Sequence, residues 1–185
     1  FNFNFSVNVL HSDPDHAVTE IDNLGKIHLS QIKLENKGII TKPNGGHIIW
    51  GDLNAGCRYY SNKKWSCVHD ISCNDIENHL WNAKKLHWLI NNSQDTTTYT
   101  TTDCAYDRII VDNSIYSYVS DYGIFHFDKE YGLDNQETRS ISDHYPVYIN
   151  LKIFYNKTIV IKSQNTSSSS FPLPQVIGNI STTII

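Results

Sequence analysis

The sequence predicts a domain of mixed α/β class, and its strand patterns are the first observation. Residues 1–10 alternate apolar and polar side chains, which is typical of a strand with one buried face. Short apolar runs at 47–50 and 107–111 predict two buried strands. Alternation over residues 145–155 predicts a last strand. A chain of 185 residues is long enough to enclose the core of one such domain.

The helical part of the prediction lies between the first two strands. Ser12 or Asp13 is expected to cap a helix that has Pro14 in its first turn. The apolar stripe of this helix, at helical spacing, is Ala17, Ile21 and Leu24, with Ile27 as a further candidate. The helical pattern ends by Gly38, and a turn at 43–46 leads into the second strand.

The composition limits the partners and the domain organisation. The net charge is −4, so any contact with a polyanion must be local or assisted by a bound cation. No apolar run reaches the roughly 18 residues of a membrane span. Residues 1–155 are expected to form the domain, and 156–185, with serines at 167–170, a mobile low-complexity tail. The chain has no Met and begins inside a strand-like pattern, so we expect a truncated piece.

The cysteine content favours an oxidised, secreted protein. The chain has four cysteines, an even number. The alternative is a set of scattered free thiols in a cytosolic domain. Glycosylation sequons agree weakly with secretion, and those that begin at Asn91, Asn156, Asn165 and Asn179 are among them.

Side chains suited to phosphoester chemistry stand at the ends of the predicted strands. Asp52 and Asn54 follow the second strand, and a spacing of two places both on one face of an extended segment. Asp143 and His144 precede the last strand, and a His beside a carboxylate can be an oriented base or a metal ligand. His11 closes the first strand. Imidazoles, carboxylates and an amide that converge on one phosphate would suit metal-assisted cleavage.

Each of these residues also has a simpler interpretation. Asp52 and Asn54 are ordinary turn residues. The Asp143 and His144 pair also suits a solvent-facing loop. The simple interpretation of Asp107 is an ion-pair partner or a strand cap. The functional one is a buried carboxylate that orients an imidazole on a neighbouring strand.

The strings around these residues resemble one family. LHSDPDHAVTEI, GDLNAGC, WLI with a nearby DTT, CAYDRIIV, YGL and SDHYPV occur in this order from about Phe5 to Leu151. Together they resemble the C-terminal part of the deoxyribonuclease I family, within the endonuclease/exonuclease/phosphatase superfamily. GDLN and SDH are shared across the superfamily, whereas CAYDRIIV is similar to the secreted deoxyribonucleases in particular.

The resemblance implies a role for each matching residue. His11 and His144 match the catalytic histidines, and Asp107 matches the carboxylate that orients His144. Asp52 and Asn54 match a catalytic pair close to phosphate and metal. The other matches are Asp143 as a metal ligand, Asp95 with nearby threonines as a second calcium site, and Cys57 with Cys104 as a structural disulfide. Cys67 and Cys73 are expected to pair within an inserted loop.

The resemblance also implies the fold and the activity. The implied fold is a two-sheet, mainly antiparallel sandwich with flanking helices. The implied activity is that of a secreted endonuclease that hydrolyses DNA phosphodiester bonds with Mg²⁺ (or Mn²⁺) and Ca²⁺. DNA is the implied partner, and no obligate protein partner is apparent. The family's N-terminal half, which supplies two glutamates of the site, has no counterpart here, so we expect residues 1–185 alone to lack appreciable nuclease activity.

Two alternatives stay open at the level of sequence. One is another phosphoesterase of the superfamily: a sphingomyelinase, an abasic-site endonuclease or an inositol-phosphate phosphatase. The other is a non-enzymatic chain, either a pseudoenzyme or a truncated product. Calcium-stimulated cleavage of plain duplex DNA would separate these from the deoxyribonuclease interpretation.

Overall fold

The secondary structure consists of strands in two sheets with helices around them. The computed structural model describes residues 3–59, 86–156 and 177–184. Its strands are β1 (Ser6–Val9), β2 (His47–Asp52), β3 (Leu86–Trp88), β4 (Asp107–Asp112), β5 (Val119–Ile124), β6 (Val147–Asn156) and β7 (Ile177–Ile184). Its α-helices are α1 (Ala17–Asn36), α2 (Asn113–Tyr116), α3 (Phe127–Tyr131) and α4 (Asn135–Ile141), and a short 3₁₀ helix covers Cys57–Tyr59.

The first sheet brings three strand ends to one edge. Its order is β1-β2-β4-β3, with β1 parallel to β2 and the other pairs antiparallel. The parallel pairing places the C-terminal ends of β1 and β2 at the same edge of the sheet. The antiparallel register of β2 and β4 sets Asp52 opposite Asp107. Residues just after β1 and β2 and at the start of β4 therefore lie together.

The second sheet packs on one face of the first, and α1 covers the other. The second sheet has the order β5-β6-β7 with antiparallel pairing throughout. Side chains alternate across β2 and β4: Ile48 belongs to the core that includes the β6 side chains, whereas Ile49 packs with α1. The inter-sheet core is Ile48, Leu89, Ile90, Ile109, Val111, Ile115, Val147, Ile149 and Leu151. The predicted two-sheet, mainly antiparallel architecture is confirmed.

The strands predicted at 47–50 and 107–111 are confirmed, while the first strand differs from its prediction. β1 covers Ser6–Val9 only, and Val7 and Val9 are exposed. The polar face of β1 points to α1 instead, because Gln31 donates to the hydroxyl of Ser6 at 2.8 Å and accepts from the amide of Asn8 at 3.2 Å. The single buried apolar face predicted for residues 1–10 is therefore wrong for the strand itself.

The start of α1 also differs from its prediction. The helix begins at Ala17, and its N-cap residue is His16, whose side chain makes no cap hydrogen bond. Asp13 instead closes a local turn, because its carboxylate accepts from the backbone N–H of Asp15 at 2.8 Å. The Asp13 carboxylate bonds to the backbone next to it, and this hydrogen bond competes with helical geometry, which explains the later start.

Among the described residues, none of the helices has the length and apolar character that a membrane span requires.

A strand occurs inside the segment that was predicted to be a mobile tail. β7 pairs with β6 from Ile149↔Ile184 to Asn156↔Ile177. Its sequence, IGNISTTI, is rich in β-branched residues, which favour a pleated surface. The prediction of a tail gave more weight to the serines at 167–170 than to this β-branched segment. The domain boundary at 155/156 stays a prediction.

A buried polar cluster lies at the edge of the first sheet opposite the three strand ends. His47 Nε2 lies 3.1 Å from Glu35 Oε2, and the rings of His28 and His47 are in edge contact at 5.1 Å. The backbone N–H of His47 donates to Asp112 at 2.9 Å. His28 is buried, and this burial, with the nearby His47, lowers the pKa of His28 to about 4.

Acidification is therefore expected to destabilise the fold through His28. The unfolded chain takes up a proton on this residue near pH 6.5, whereas the folded chain resists protonation down to about pH 4. Stability should fall as the pH drops through this window, by roughly 3 kcal/mol in total. Urea unfolding of the unsubstituted protein (the parent) and of His28→Gln at pH 7.0 and 4.5 would measure the effect. His16→Gln is the control, because His16 is exposed. Equal acid sensitivity in parent and His28→Gln would contradict the prediction.

The predicted Cys57–Cys104 disulfide is confirmed. The bond joins residues with Cα atoms 5.7 Å apart across a sequence separation of 47. It connects the segment after β2 to the segment before β4, next to the edge where the strand ends meet. The predicted pair Cys67 and Cys73 lies outside the described residues.

Removal of this disulfide is expected to lower the free energy of unfolding by about 4 kcal/mol, because the cross-link restricts a loop of some 48 residues in the unfolded chain. The Cys57→Ala/Cys104→Ala variant should show this loss in urea denaturation. A reductant should destabilise the parent to a similar extent. An unchanged denaturation midpoint in the double variant would show that the cross-link adds no stability.

Candidate active site

The edge where the three strand ends meet holds a pair of interacting side chains, His144 and Asp107. His144 Nδ1 lies 2.8 Å from Asp107 Oδ2. Because a carboxylate only accepts, the ring proton sits on Nδ1 and leaves Nε2 for exchange with a ligand. This hydrogen bond, together with the nearby carboxylates and against the effect of burial, raises the pKa of His144 above its usual value.

Backbone hydrogen bonds fix the position of His144. The residue forms an isolated antiparallel bridge with Thr97. On either side of it, Thr98 N–H donates to the Asp143 carbonyl at 2.9 Å, and Tyr145 N–H donates to the Thr96 carbonyl at 2.8 Å. The segment before β6 is therefore held against the loop that precedes β4, which places the imidazole on the Asp107 carboxylate.

Asp52 lies between the two predicted catalytic histidines. Its Oδ2 is 3.4 Å from His11 Nε2 and 3.7 Å from His144 Nδ1. Burial is the main cause that raises the pKa of Asp52. The backbone N–H of Asn54 donates to its carboxylate at 2.9 Å, and this hydrogen bond acts to lower the pKa. The His11 side chain is 80% exposed, so it reaches Asp52 from the solvent side.

Asn54 has a backbone conformation that differs from the prediction. The residue has a φ of 45°, in the left-handed region, and is not extended as the two-residue spacing assumed. Its side-chain amide donates to the Ser12 carbonyl at 2.9 Å and so ties the segment after β2 to the segment after β1. Gly51, at φ 142°, allows the Leu10 backbone to approach where a Cβ would collide.

An open cleft of about 640 Å³ contains most of the predicted site. His11, Asp52, Asn54, Asp143 and His144 all line it. Asp107 supports His144 from outside this lining, and Asp143 is exposed at the cleft. Asp95 does not line the cleft.

Three side chains in and beside this cleft have the donor set of a metal site. Within the described residues, Asp52, Asp107 and His144 place one potential ligand atom each within 4.8 Å of one another. Two carboxylates are the donors that hard divalent cations prefer. The predicted ligand Asp143 does not belong to this group.

Asp95 organises the loop before β4. Its Oδ1 accepts from the backbone N–H of Thr97 at 2.9 Å, from the Thr97 hydroxyl at 2.8 Å and from the Cys104 N–H at 3.1 Å. The Thr97 hydroxyl is also 3.3 Å from the Thr102 carbonyl. The loop thus gathers carboxylate, hydroxyl and carbonyl oxygens, the donor types that suit calcium. The sequence alone did not indicate which threonines lie near Asp95.

Two further residues contribute to the site, and the sequence-based analysis did not single them out. Tyr106 lines the cleft and its ring stacks near His144 with centroids 5.8 Å apart. Arg108 is fully buried and donates to the Ala55 and Ile90 carbonyls at 2.6 and 2.7 Å. It thereby connects the segments after β2 and β3. Both residues flank Asp107 in CAYDRIIV, so that string was the available indication.

Curated proteins with similar sequences carry deoxyribonuclease names. Human deoxyribonuclease-1 is 38% identical over 152 residues, which cover 80% of this chain and 47% of the human protein. Sheep deoxyribonuclease-1 is 37% identical over 80% of this chain and 51% of its own length. Mouse deoxyribonuclease gamma is 34% identical over 179 residues, 90% of this chain and 51% of the mouse protein.

These matches cover most of this chain but only part of each relative. The chain spans about half the length of the curated relatives that it matches. No protein-family model matches the chain. The similarity to several curated relatives nevertheless extends over 80 to 90% of this chain. The chain is therefore similar, over most of its own length, to proteins of the deoxyribonuclease I-like family.

Proposed function

We propose that the protein, at its full length, is a divalent-metal-dependent endonuclease that hydrolyses phosphodiester bonds of DNA. The observation that carries the proposal is the His144–Asp107 pair, which adjoins Asp52 and His11 at one open cleft. The sequence similarity adds the substrate class, because the relatives are named as deoxyribonucleases.

The proposed mechanism uses two histidines to move two protons. Water attacks the phosphorus while the bond from phosphorus to the leaving oxygen breaks. One of His11 and His144 accepts the proton of the attacking water, and the other donates a proton to the leaving oxygen. Asp107 holds the tautomer of His144 that presents Nε2 for this exchange. Asn54 fixes the segment that carries Asp52.

Asp52, with Asp143 at the exposed side of the cleft, would hold a divalent cation near the scissile phosphate, while Asp107 keeps its hydrogen bond to His144. A bound Mg²⁺ or Mn²⁺ would offset phosphate charge and polarise the phosphoryl oxygen. Asp95, Thr97 and the Thr102 carbonyl form the proposed structural Ca²⁺ site. The Cys57–Cys104 bond supports the proposal that the protein is secreted, because disulfides persist in oxidising compartments.

The decisive experiment is cleavage of supercoiled plasmid by the full-length protein with Mg²⁺ and Ca²⁺. We expect nicking that EDTA abolishes and that the His144→Ala variant lacks. Residues 1–185 alone, assayed beside it, are expected to leave the plasmid intact. Sphingomyelin, an abasic duplex and inositol phosphates serve as competing substrates.

The outcomes separate the proposed function from the alternatives. Hydrolysis of one competing substrate with plain duplex DNA left intact would make the protein a different phosphoesterase. A folded, metal-supplied protein that hydrolyses none of the four substrates would be non-enzymatic, and the endonuclease proposal would be wrong.

A further inference from the structure

An arginine stacks on an exposed tyrosine beside the cleft. Arg139 lies in the last turn of α4, and its guanidinium carbon is 4.3 Å from the ring centroid of Tyr99. Tyr99 belongs to the loop before β4 and remains 40% exposed despite this contact. The stacking restricts the long arginine side chain while its hydrogen-bond donors stay at the surface.

A groove connects this pair to the cleft. The groove has a volume of about 470 Å³ and includes Tyr99, Arg139 and Asp143 in its lining. Tyr99 and Asp143 also line the cleft that holds His144. A ligand that occupies the cleft and extends past Asp143 therefore meets the tyrosine ring and the guanidinium next. The other groove residues are polar and uncharged: Thr100, Asn135, Gln136 and Ser140.

The chemistry of the pair suits a nucleic-acid strand. A planar guanidinium can bind a phosphate through two parallel hydrogen bonds, and an aromatic face can stack on a base. The protein has a net charge of −4, so attraction for a polyanion depends on local cations. In the described part of the chain, the arginine and lysine side chains that line the cleft and this groove are those of Arg58 and Arg139.

The geometry points to Arg139, held by Tyr99, as a phosphate-binding subsite for the DNA strand beyond the scissile phosphate. This inference rests on the proposed nuclease function and adds a residue that determines affinity for long substrates. The competing explanation is that the Arg139–Tyr99 contact only braces the loop before β4 against α4. The two explanations differ in what they predict for DNA binding and for its dependence on salt.

The test measures binding of a fluorescent duplex DNA by anisotropy, in the full-length protein with His144→Ala to prevent cleavage. Arg139→Ala should weaken binding about five- to tenfold and reduce the slope of log Kd against log salt by about one. Arg139→Lys should retain most of the slope and lose part of the affinity, because lysine keeps the charge without the planar fork. Lys33→Ala removes one exposed charge near the far end of α1 and should change neither quantity.

A steady-state assay on a catalytically intact background gives a second readout. Arg139→Ala should raise KM for long duplexes, and the increase should shrink as the duplex is shortened. Thermal unfolding of each variant detects any bracing role. A lowered Tm in Arg139→Ala with unchanged Kd and salt slope would overturn the subsite.

The outcomes distinguish this inference from the proposed function. If the parent cleaves and binds duplex DNA while Arg139→Ala binds like Lys33→Ala, only the subsite is wrong. If the parent neither cleaves nor binds DNA, both the nuclease function and the subsite are wrong.

Discussion

Replacement of His144 by alanine is expected to lower the turnover of duplex DNA by about a hundred- to ten-thousand-fold, because the ring moves a proton in the rate-limiting chemistry. Folding should be little changed, since the side chain is 23% exposed and contributes to the cleft rather than to the core. Initial-rate cleavage and thermal unfolding of the variant measure the two effects. His87→Ala is the matched control, because His87 stacks on Tyr116 at the opposite end of β4.

The same mechanism predicts how His11 and His144 combine. His11→Ala should lose activity to a similar extent, and the double variant should be scarcely worse than either single one, because both groups act in one step. A diester with an activated leaving group, such as bis(p-nitrophenyl) phosphate, needs no proton on the leaving oxygen. One of the two single variants should therefore regain most of its relative rate on this substrate. Strictly multiplicative losses, or full activity in His144→Ala, would contradict the mechanism.

The strands that the sequence predicted best are those buried on both faces. The runs at 47–50 and 107–111 became β2 and β4, because a continuous apolar segment has few alternatives to the centre of a sheet. β1 was predicted less well. Its alternation is real, but at a sheet edge the polar side chains of Ser6 and Asn8 bond to Gln31, and that contact depends on where α1 packs. Local pattern cannot specify such a tertiary contact.

The sequence named most of the predicted residues that the structure brings together at the cleft, but it did not give their arrangement. Asp107 and His144 are 37 positions apart, and their contact requires the register of β2 with β4 and the bridge between Thr97 and His144. The role of Arg108 was not predictable from the sequence, because its partners lie in segments that are distant along the chain. The structure shows it on the carbonyls of two loops, which depend on the tertiary fold.

The Asp107→Asn variant is expected to show the second large loss of activity, again about a hundred- to ten-thousand-fold. An amide can present its NH₂ group to Nδ1 and so favour the wrong imidazole tautomer. The same change removes the hydrogen bond that is the largest cause of the raised pKa of His144, so that pKa should fall. The limb of the pH–rate profile that reports His144 should then move to lower pH.

NMR titration of the His144 ring nitrogens tests this prediction without any need for turnover, so it also applies to an inactive chain. The parent should show a pKa above the ordinary histidine value with the proton on Nδ1, and Asp107→Asn should show a lower pKa and a changed tautomer population. Asp121→Asn, in the exposed part of β5, is the control and should leave the His144 titration unchanged. An identical His144 titration in the parent and in Asp107→Asn would show that the 2.8 Å contact does not control the imidazole, and the proposed role of Asp107 would be wrong.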